Sequence, residues 1–301
     1  MRRFLGIWLL IAVAAGFLAG CRPPQEVIGG QERPFRISRV VSLAPGATEL
    51  VLVRGQGLQL VGRTESCDWP RVEERAQVVM KGVRPNFELI QALEPDLVIY
   101  DADLTSPTDI EKFRELGIRT FALEGDTVDD YIANLYRYGS LTGNETNINN
   151  HVNEEILSAL DRAAASAPPS PVKVAVVLPG TAAEHLIAGT ESRVADLVRR
   201  VGGTPVGPKG NQFVPMSVET LVAENPDVIV VPGSAAEAER LARDPRLAGI
   251  RAMTNRMTQG PAAGKPRVFA LNPDVVLRRG ARTHLAVQGF DQIVKRLAFV
   301  P

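Results

Sequence analysis

The chain carries one motif twice. Residues 86–100 run from Asn86 and Phe87 through Glu88, a short apolar helix pattern, Pro95-Asp96 and the apolar run Leu97-Val98-Ile99-Tyr100. Residues 217–231 run from Ser217 and Val218 through Glu219, a second such pattern, Pro226-Asp227 and Val228-Ile229-Val230-Val231. The two glutamates are 131 residues apart, too far for a solenoid unit. A helix-to-buried-strand unit repeated at that distance requires two similar α/β lobes in one chain. It also sets one glutamate at the same place in each lobe, which makes Glu88 and Glu219 the first candidates for function.

Strands alternate with helices around each copy. The first half predicts strands at Arg39–Leu43, Leu58–Val61, Leu97–Tyr100 and Arg119–Leu123, separated by helices over Thr48–Val53, Phe87–Leu93 and Pro107–Leu116. A helix over Val128–Leu141 follows. Residues 62–85 form a long irregular stretch, the kind of segment that carries function in a compact domain. The second half repeats the pattern with strands at Lys173–Leu178, Val228–Val231 and Val268–Leu271, loops up to Gly189 and over Asn211–Pro215, and a last helix over Thr283–Leu297. The expected fold class is α/β, with two Rossmann-like lobes and mostly parallel sheets. Between them Glu145–Ala167 reads as one unbroken helix, its apolar face marked by Ile148, Val152, Ile156 and Leu160 and its end by Pro168, Pro169 and Pro171. It bridges the lobes and limits how far they swing.

The first residues are an address. Arg2 and Arg3 precede an apolar run from Phe4 to Leu18, too short for a spanning helix, which closes on Leu18-Ala19-Gly20-Cys21. This ending resembles the lipobox of bacterial lipoproteins, in which the peptidase cuts before a cysteine that receives lipid. Residues 1–20 are then a lipoprotein signal peptide, Cys21 the lipidation site and 21–35 a Pro- and Gly-rich tether with no helix or strand period. The N-terminal lobe occupies 36–143, the bridging helix 144–168 and the C-terminal lobe 171–301. The processed chain is extracytoplasmic and held to a membrane through lipid.

Composition narrows the function classes. With Cys21 acylated only Cys67 remains, so no internal disulfide forms. The chain has 34 basic and 34 acidic residues, and losing Arg2 and Arg3 leaves a formal charge of −2. Without a basic run, nucleic acid is not a partner. No Gly-rich phosphate loop, His-Glu-x-x-His or Gly-x-Ser-x-Gly is present, and no spacing supports assembling Ser42, Asp68 and His185 into a catalytic set, so an enzyme is not expected.

The chain from Arg39 onward resembles the substrate-binding proteins of bacterial ABC importers for vitamin B12, ferric siderophores and haem. The resemblance rests on Arg39-Val-Val-Ser-Leu-Ala-Pro-Gly-Ala-Thr48-Glu49, on Cys67-Asp68-Trp69-Pro70, on the two Glu…Pro-Asp segments, and on Asn272-Pro-Asp274 with Arg279-Gly280-Ala-Arg282. It implies two Rossmann-like lobes joined by one long helix, with a ligand cleft between the lobes. It also implies that Glu88 and Glu219 dock onto arginines of an ABC permease dimer and its ATPase, and that the protein works as a monomer. The alternative for each glutamate is a residue that merely complements its helix dipole.

Ligands of open α/β sheets sit beyond the carboxyl ends of the strands. The side chains on offer there are Trp69, Met80, Tyr100, Asp101, His185, Phe213, Asp274, Arg278 and Arg279, and of these Trp69, Met80, Tyr100, Phe213, Asp274 and Arg279 are the ligand-binding candidates. The resemblance places Trp69 and Phe213 at aromatic cleft positions, where they would sandwich a planar ligand. Each has a structural alternative: Trp69 stapling its loop, Met80 and Phe213 filling core, Arg278 and Arg279 solvated beside the last helix. Cys67 suits a small buried residue, and His185 and His284 suit structural or surface roles. Three histidines, with His151 on the bridging helix, are too few for a bare Zn or Mn site in the cleft, so no metal ligands and no resident cofactor are expected. A corrinoid or ferric siderophore arrives with its metal already coordinated. The Cys67-Asp68-Trp69-Pro70 loop resembles the corrinoid-binding branch of that family, which favours the corrinoid. Haem, or a sensing or scaffolding role without transport, are the alternatives.

Overall fold

The computed structural model describes residues 25–28, 31–34, 36–55, 58–70, 76–180, 184–254 and 265–298. The apolar leader and Cys21 lie outside them. The chain divides into two compact units, Met1–Arg36 and Ile37–Pro301. In the first, strands β1 (Gln25–Ile28) and β2 (Gln31–Pro34) pair antiparallel. The sequence predicts no strand in this tether. The pairing sets Ile28 opposite Gln31 and is made by backbone groups that any sequence supplies, so no apolar period announces it.

The second unit holds, among the described residues, two six-stranded sheets. The first contains β3 (Arg39–Ser42), β4 (Gln59–Thr64), β5 (Gln77–Lys81), β6 (Arg84–Pro85), β7 (Leu97–Asp101) and β8 (Thr120–Leu123), in the order β6-β5-β4-β3-β7-β8. All neighbours are parallel except β5 and β6. The second contains β9 (Val172–Leu178), β10 (Glu184–Ala188), β11 (Gly203–Val206), β12 (Phe213–Ser217), β13 (Val228–Pro232) and β14 (Val268–Leu271). There β9, β11, β13 and β14 are parallel, while β10 runs antiparallel to both β9 and β12. The helices are α1 (Pro45–Arg54), α2 (Phe87–Ala92), α3 (Pro107–Glu115), α4 (Val128–Thr142), α5 (Glu145–Asn150), α6 (Ser158–Ala165), α7 (Arg193–Arg200), α8 (Val218–Glu224), α9 (Ala235–Ala242), α10 (Pro273–Leu277) and α11 (Thr283–Ala298). No described helix is long and apolar enough to cross a membrane.

The two-lobed α/β class expected from the sequence is the one observed. Every residue of β7 and of β13 is buried, as strands covered on both faces must be. Val41, Leu43, Val61, Val79, Val98 and Tyr100 pack with Ile90 and Phe113 on one face of the first sheet. Ala175, Val177, Ile187, Ile229 and Val231 pack with Val218, Leu221 and Leu241 on one face of the second. Two differences concern loops. Residues 62–85 contain β5 and β6, and the expected loops before α7 and α8 contain β10 and β12. The bridging helix also differs. It runs continuously from Glu145 to Ala165, but His151–Leu157 between α5 and α6 is π-helical.

The repeat has a structural meaning that the glutamates alone do not reveal. In the first copy the Asp96 carboxylate accepts hydrogen bonds from Ser38 N (2.8 Å), Ser38 Oγ (2.9 Å) and Arg39 N (2.7 Å), pinning the start of β3. In the second, Asp227 accepts from Lys173 N at 2.9 Å, pinning the start of β9. The strand residue reciprocates in both lobes: the Arg39 side chain donates to Leu93 O at 2.7 Å, and Lys173 Nζ donates to Glu224 O at 2.6 Å. Glu94 and Asn225, at matching places after the helices, both adopt positive φ, of 46° and 49°. Burial works against the Asp96 carboxylate, but the donors of Arg39 and Ser38 outweigh it and hold the group below the usual aspartate range. Its contribution is therefore present above the unfolded value of about 3.9 and is lost as pH falls below it. Asp96→Ala is expected to cost about 2–3 kcal/mol in urea unfolding at neutral pH, since three donors lose a charged acceptor. The deficit relative to the parent chain should shrink as the pH is lowered.

Candidate functional site

In each sheet the chain first extends to one side of the opening strand and then returns to the other. The switch lies between β3 and β7 in the first lobe and between β9 and β13 in the second, and a ligand crevice forms beyond such points. A cavity of about 240 Å³ occurs there, lined by Asp101 at the end of β7 and Leu178 at the end of β9. Its other walls include Asp103, Asp126, Arg193, Asn211, Phe213 and Arg279. The cavity is therefore bounded by both lobes.

Arg279 is the principal joint across it. Its Nη1 donates to Asp101 Oδ1 at 2.7 Å, its Nη2 to Asp103 Oδ2 at 2.6 Å, and its Nε and Nη2 to Gly125 O at 3.2 and 2.9 Å. Burial pushes the Asp101 carboxyl up, and the adjacent Arg279 opposes that shift. Beside this joint the backbones nearly touch. A Cβ on Gly46, at the start of α1, would lie 2.4 Å from Arg279 O, so only glycine allows the approach. Tyr131, fully buried on α4, donates its hydroxyl to Gly280 O at 2.7 Å. Near the edge of the cleft Asn211 Nδ2 donates to Asp126 Oδ2 at 3.1 Å.

Arg193 stands apart. It is 5% exposed and donates through Nη2 to Val276 O (2.7 Å) and Arg278 O (3.0 Å). Its Nη1 is buried without a hydrogen-bond partner. Burial, reinforced by Arg279, lowers its pKa to about 10, so it remains charged at neutral pH. The sequence gives little warning of this residue. The one signal is an arginine directly after the Ser192 cap, where a helix start ordinarily prefers acidic residues.

The sequence candidates divide into three groups. Phe213 and Arg279 line the cavity. Tyr100 and Met80 do not: Tyr100 belongs to the apolar face of the first sheet and Met80 packs against that cluster. Alternation along β7 explains this, since Tyr100 shares a face with Val98 while Asp101 turns to the cavity. Trp69 and Asp274 gather around a neighbouring ion cluster. Arg278 reaches Asp68 at 2.7 Å and Asp274 at 2.7 Å, and Arg282 pairs with the fully buried Glu49 at 2.5 Å while lying 4.3 Å from the Trp69 ring centroid. Cys67 is buried against Thr48 and Thr64, as a small core residue would be.

Glu88 and Glu219 occupy equivalent positions. Each is the second residue of its helix and exposed, after a cap whose side chain accepts a backbone hydrogen bond: Asn86 from Leu89 N, Ser217 from Thr220 N. The backbone at the helix start and the Ser217 hydroxyl hold the Glu219 carboxylate below its usual range.

The sequence profile of the family described as periplasmic binding protein matches residues 40–257. The vitamin B12-binding protein of Vibrio cholerae is 33% identical over 103 residues, 34% of this chain. That alignment spans 37% of the Vibrio protein's own length. An uncharacterized ABC transporter substrate-binding lipoprotein of Bacillus subtilis is 20% identical and aligns over 99% of this chain and 98% of its own. Among solved structures, the periplasmic heme-binding protein BhuT in complex with two hemes superposes with a TM-score of 0.73 at 22% identity, covering 86% of this chain and 98% of that one.

Proposed function

Because the chain belongs to the periplasmic binding protein family, a family of binding proteins rather than enzymes, we propose that it is the extracytoplasmic substrate-binding protein of an ABC importer. In this reading Cys21 carries the lipid anchor, a metal chelate enters between the lobes, and Glu88 and Glu219 present the loaded protein to a permease dimer with its ATPase. The observation that carries it is the cavity at the two strand switch points, which draws Phe213 and Arg193 from one lobe and Asp101, Asp103 and Asp126 from the other. The lipoprotein nature of the Bacillus relative supports the anchor.

Charge favours a corrinoid over a ferric siderophore or haem. The cavity carboxylates Asp101, Asp103 and Asp126 outnumber Arg193 and Arg279, and Arg279 is already paired with two of them. A polyanionic chelate or a pair of propionates meets no surplus of positive charge there. A corrinoid rim carries neutral carboxamides, and their oxygens suit the unengaged Arg193 Nη1. Phe213 supplies apolar contact to the ring. A cavity of about 240 Å³ is below the usual range for small-molecule sites, roughly 300–1,000 Å³. Entry of a corrinoid therefore requires the lobes to part, breaking the Asn211–Asp126 hydrogen bond first because it is exposed.

Calorimetric titration of the processed chain with cobalamin, a ferric siderophore and haem tests the assignment. Saturable one-to-one binding of cobalamin, weakened at least about tenfold by Arg193→Met, is the expected result. Binding of haem or the ferric chelate with no response to cobalamin would transfer the ligand assignment. No response to any of the three would overturn the transport reading.

A further inference from the structure

The π-helical segment of the bridge presents side chains that the cavity does not use. His151, the first residue of that segment, has a fully buried side chain, and neither ring nitrogen has a hydrogen-bond partner. His284, at the start of α11, likewise has a buried Nδ1 without a partner. Between them lies Glu155, one turn along the bridge. Its Oε2 is 3.2 Å from His151 Nδ1 and 3.2 Å from His284 Nδ1, although neither approach has hydrogen-bond geometry. One possible ligand atom from each of the three residues lies within 4.8 Å of those of the other two. The other carboxylate oxygen, Oε1, accepts from Arg54 Nη2 at 2.5 Å.

We propose that His151, Glu155 and His284 form a binding site for one divalent transition ion of the zinc class. The ligand set, two imidazoles and one carboxylate, leaves a fourth tetrahedral position for water. The spacing suits it as well. Metal–ligand bonds of about 2.0–2.1 Å place tetrahedral neighbours roughly 3.3–3.4 Å apart, close to the two distances of 3.2 Å. Burying ring nitrogens without partners is unfavourable, and coordination would satisfy one on each ring. Arg54 is the positioning residue: it engages Oε1 and leaves Oε2 to the histidines. Glu155 is about one-third exposed, which supplies an entry path. A π-turn within an α-helix commonly marks a functional position, and His151 and Glu155, an i,i+4 pair, both lie in this one.

The ion would clasp the bridging helix to the last helix. The site is independent of the ligand cleft, so its failure leaves the transport reading intact. The test uses the full chain in detergent without a histidine tag, titrated with Zn2+ by calorimetry and with Co2+ by visible absorption. One Zn2+ should bind per chain and raise Tm, and Co2+ should give the ligand-field bands of a tetrahedral site. His284→Ala should weaken binding at least about a hundredfold, more than loss of an outer-shell partner does. Glu155→Gln keeps an acceptor for Arg54 and preserves side-chain volume, so it tests the site even where the alanine variant folds poorly. It should likewise abolish the Co2+ bands. Absence of saturable binding to the parent chain, or binding that survives both substitutions, would overturn the proposal.

Discussion

The Glu88→Ala, Glu219→Ala double variant is expected to bind its ligand as tightly as the parent chain and to lose all stimulation of ATP hydrolysis by the permease complex. The argument rests on position. Both carboxylates are exposed on the second residue of a helix, and neither belongs to the cavity. Each lobe contributes one, at corresponding points of a duplicated unit, and a symmetric pair of receptor subunits accepts such an arrangement. Rim charges of this kind govern orientation and association rate more than affinity. Each single variant should therefore retain partial stimulation that falls steeply with added salt, while the double variant shows none at any salt. Measurement is by reconstituted ATPase assay, with ligand calorimetry on the same preparations. Full stimulation by the double variant would refute docking and leave two surface carboxylates at helix starts. Loss of ligand binding would instead show that the substitutions reach the cleft.

The duplicated unit that carries those glutamates is legible in the sequence because its signal is local. A helix start, a Pro-Asp pair and a β-branched run lie within fifteen residues of one another, and the structure preserves each of them. The same holds for most parallel strands, which are buried on both faces and therefore read as continuous apolar runs. Strand β10 shows where that logic stops. It buries His185 and exposes Leu186, at 38%, so its alternation opposes the hydrophobic pattern and reads as loop. The cleft was less legible still. Arg279 meets Asp101 across 178 positions, and Arg282 meets Glu49 across 233. Nothing in the neighbourhood of either residue specifies its partner. The sequence offers Tyr100 and Asp101 to the cleft alike, because it does not say which way the pleat turns at the end of β7; the one-residue step gives the cavity to Asp101 and the core to Tyr100. The π-turn was illegible for a related reason: apolar spacing cannot distinguish one wide turn from a regular helix.

Arg282→Met is expected to destabilise the fold by about 3 kcal/mol at neutral pH, the lower end for breaking a buried pair by removing one partner. Glu49 is completely buried on α1, and Arg282 supplies its shortest contacts, through Nη2 at 2.5 Å and Nε at 3.2 Å. Arg278 remains at 3.6 Å as a second cation, which is why the lower end applies. Burial already pushes the Glu49 carboxyl up against the pull of both arginines, and deleting Arg282 removes the larger part of that pull. A carboxyl whose folded pKa is raised favours the native state at low pH, and that advantage fades as pH rises through the folded value. The penalty of the substitution should accordingly be small near the unfolded glutamate value of about 4.3 and grow towards neutrality. Urea unfolding of both chains at about pH 5 and pH 7.5 reads the difference directly. The methionine keeps apolar contact with Trp69 but ends the cation–π stack, worth about 0.5–1 kcal/mol at a partly exposed ring. That smaller loss is independent of pH in this range, so it separates from the Glu49 contribution. A deficit equal at both pH values would place the whole effect in packing around Trp69 and remove the buried ion pair from the account of how the lobes are joined.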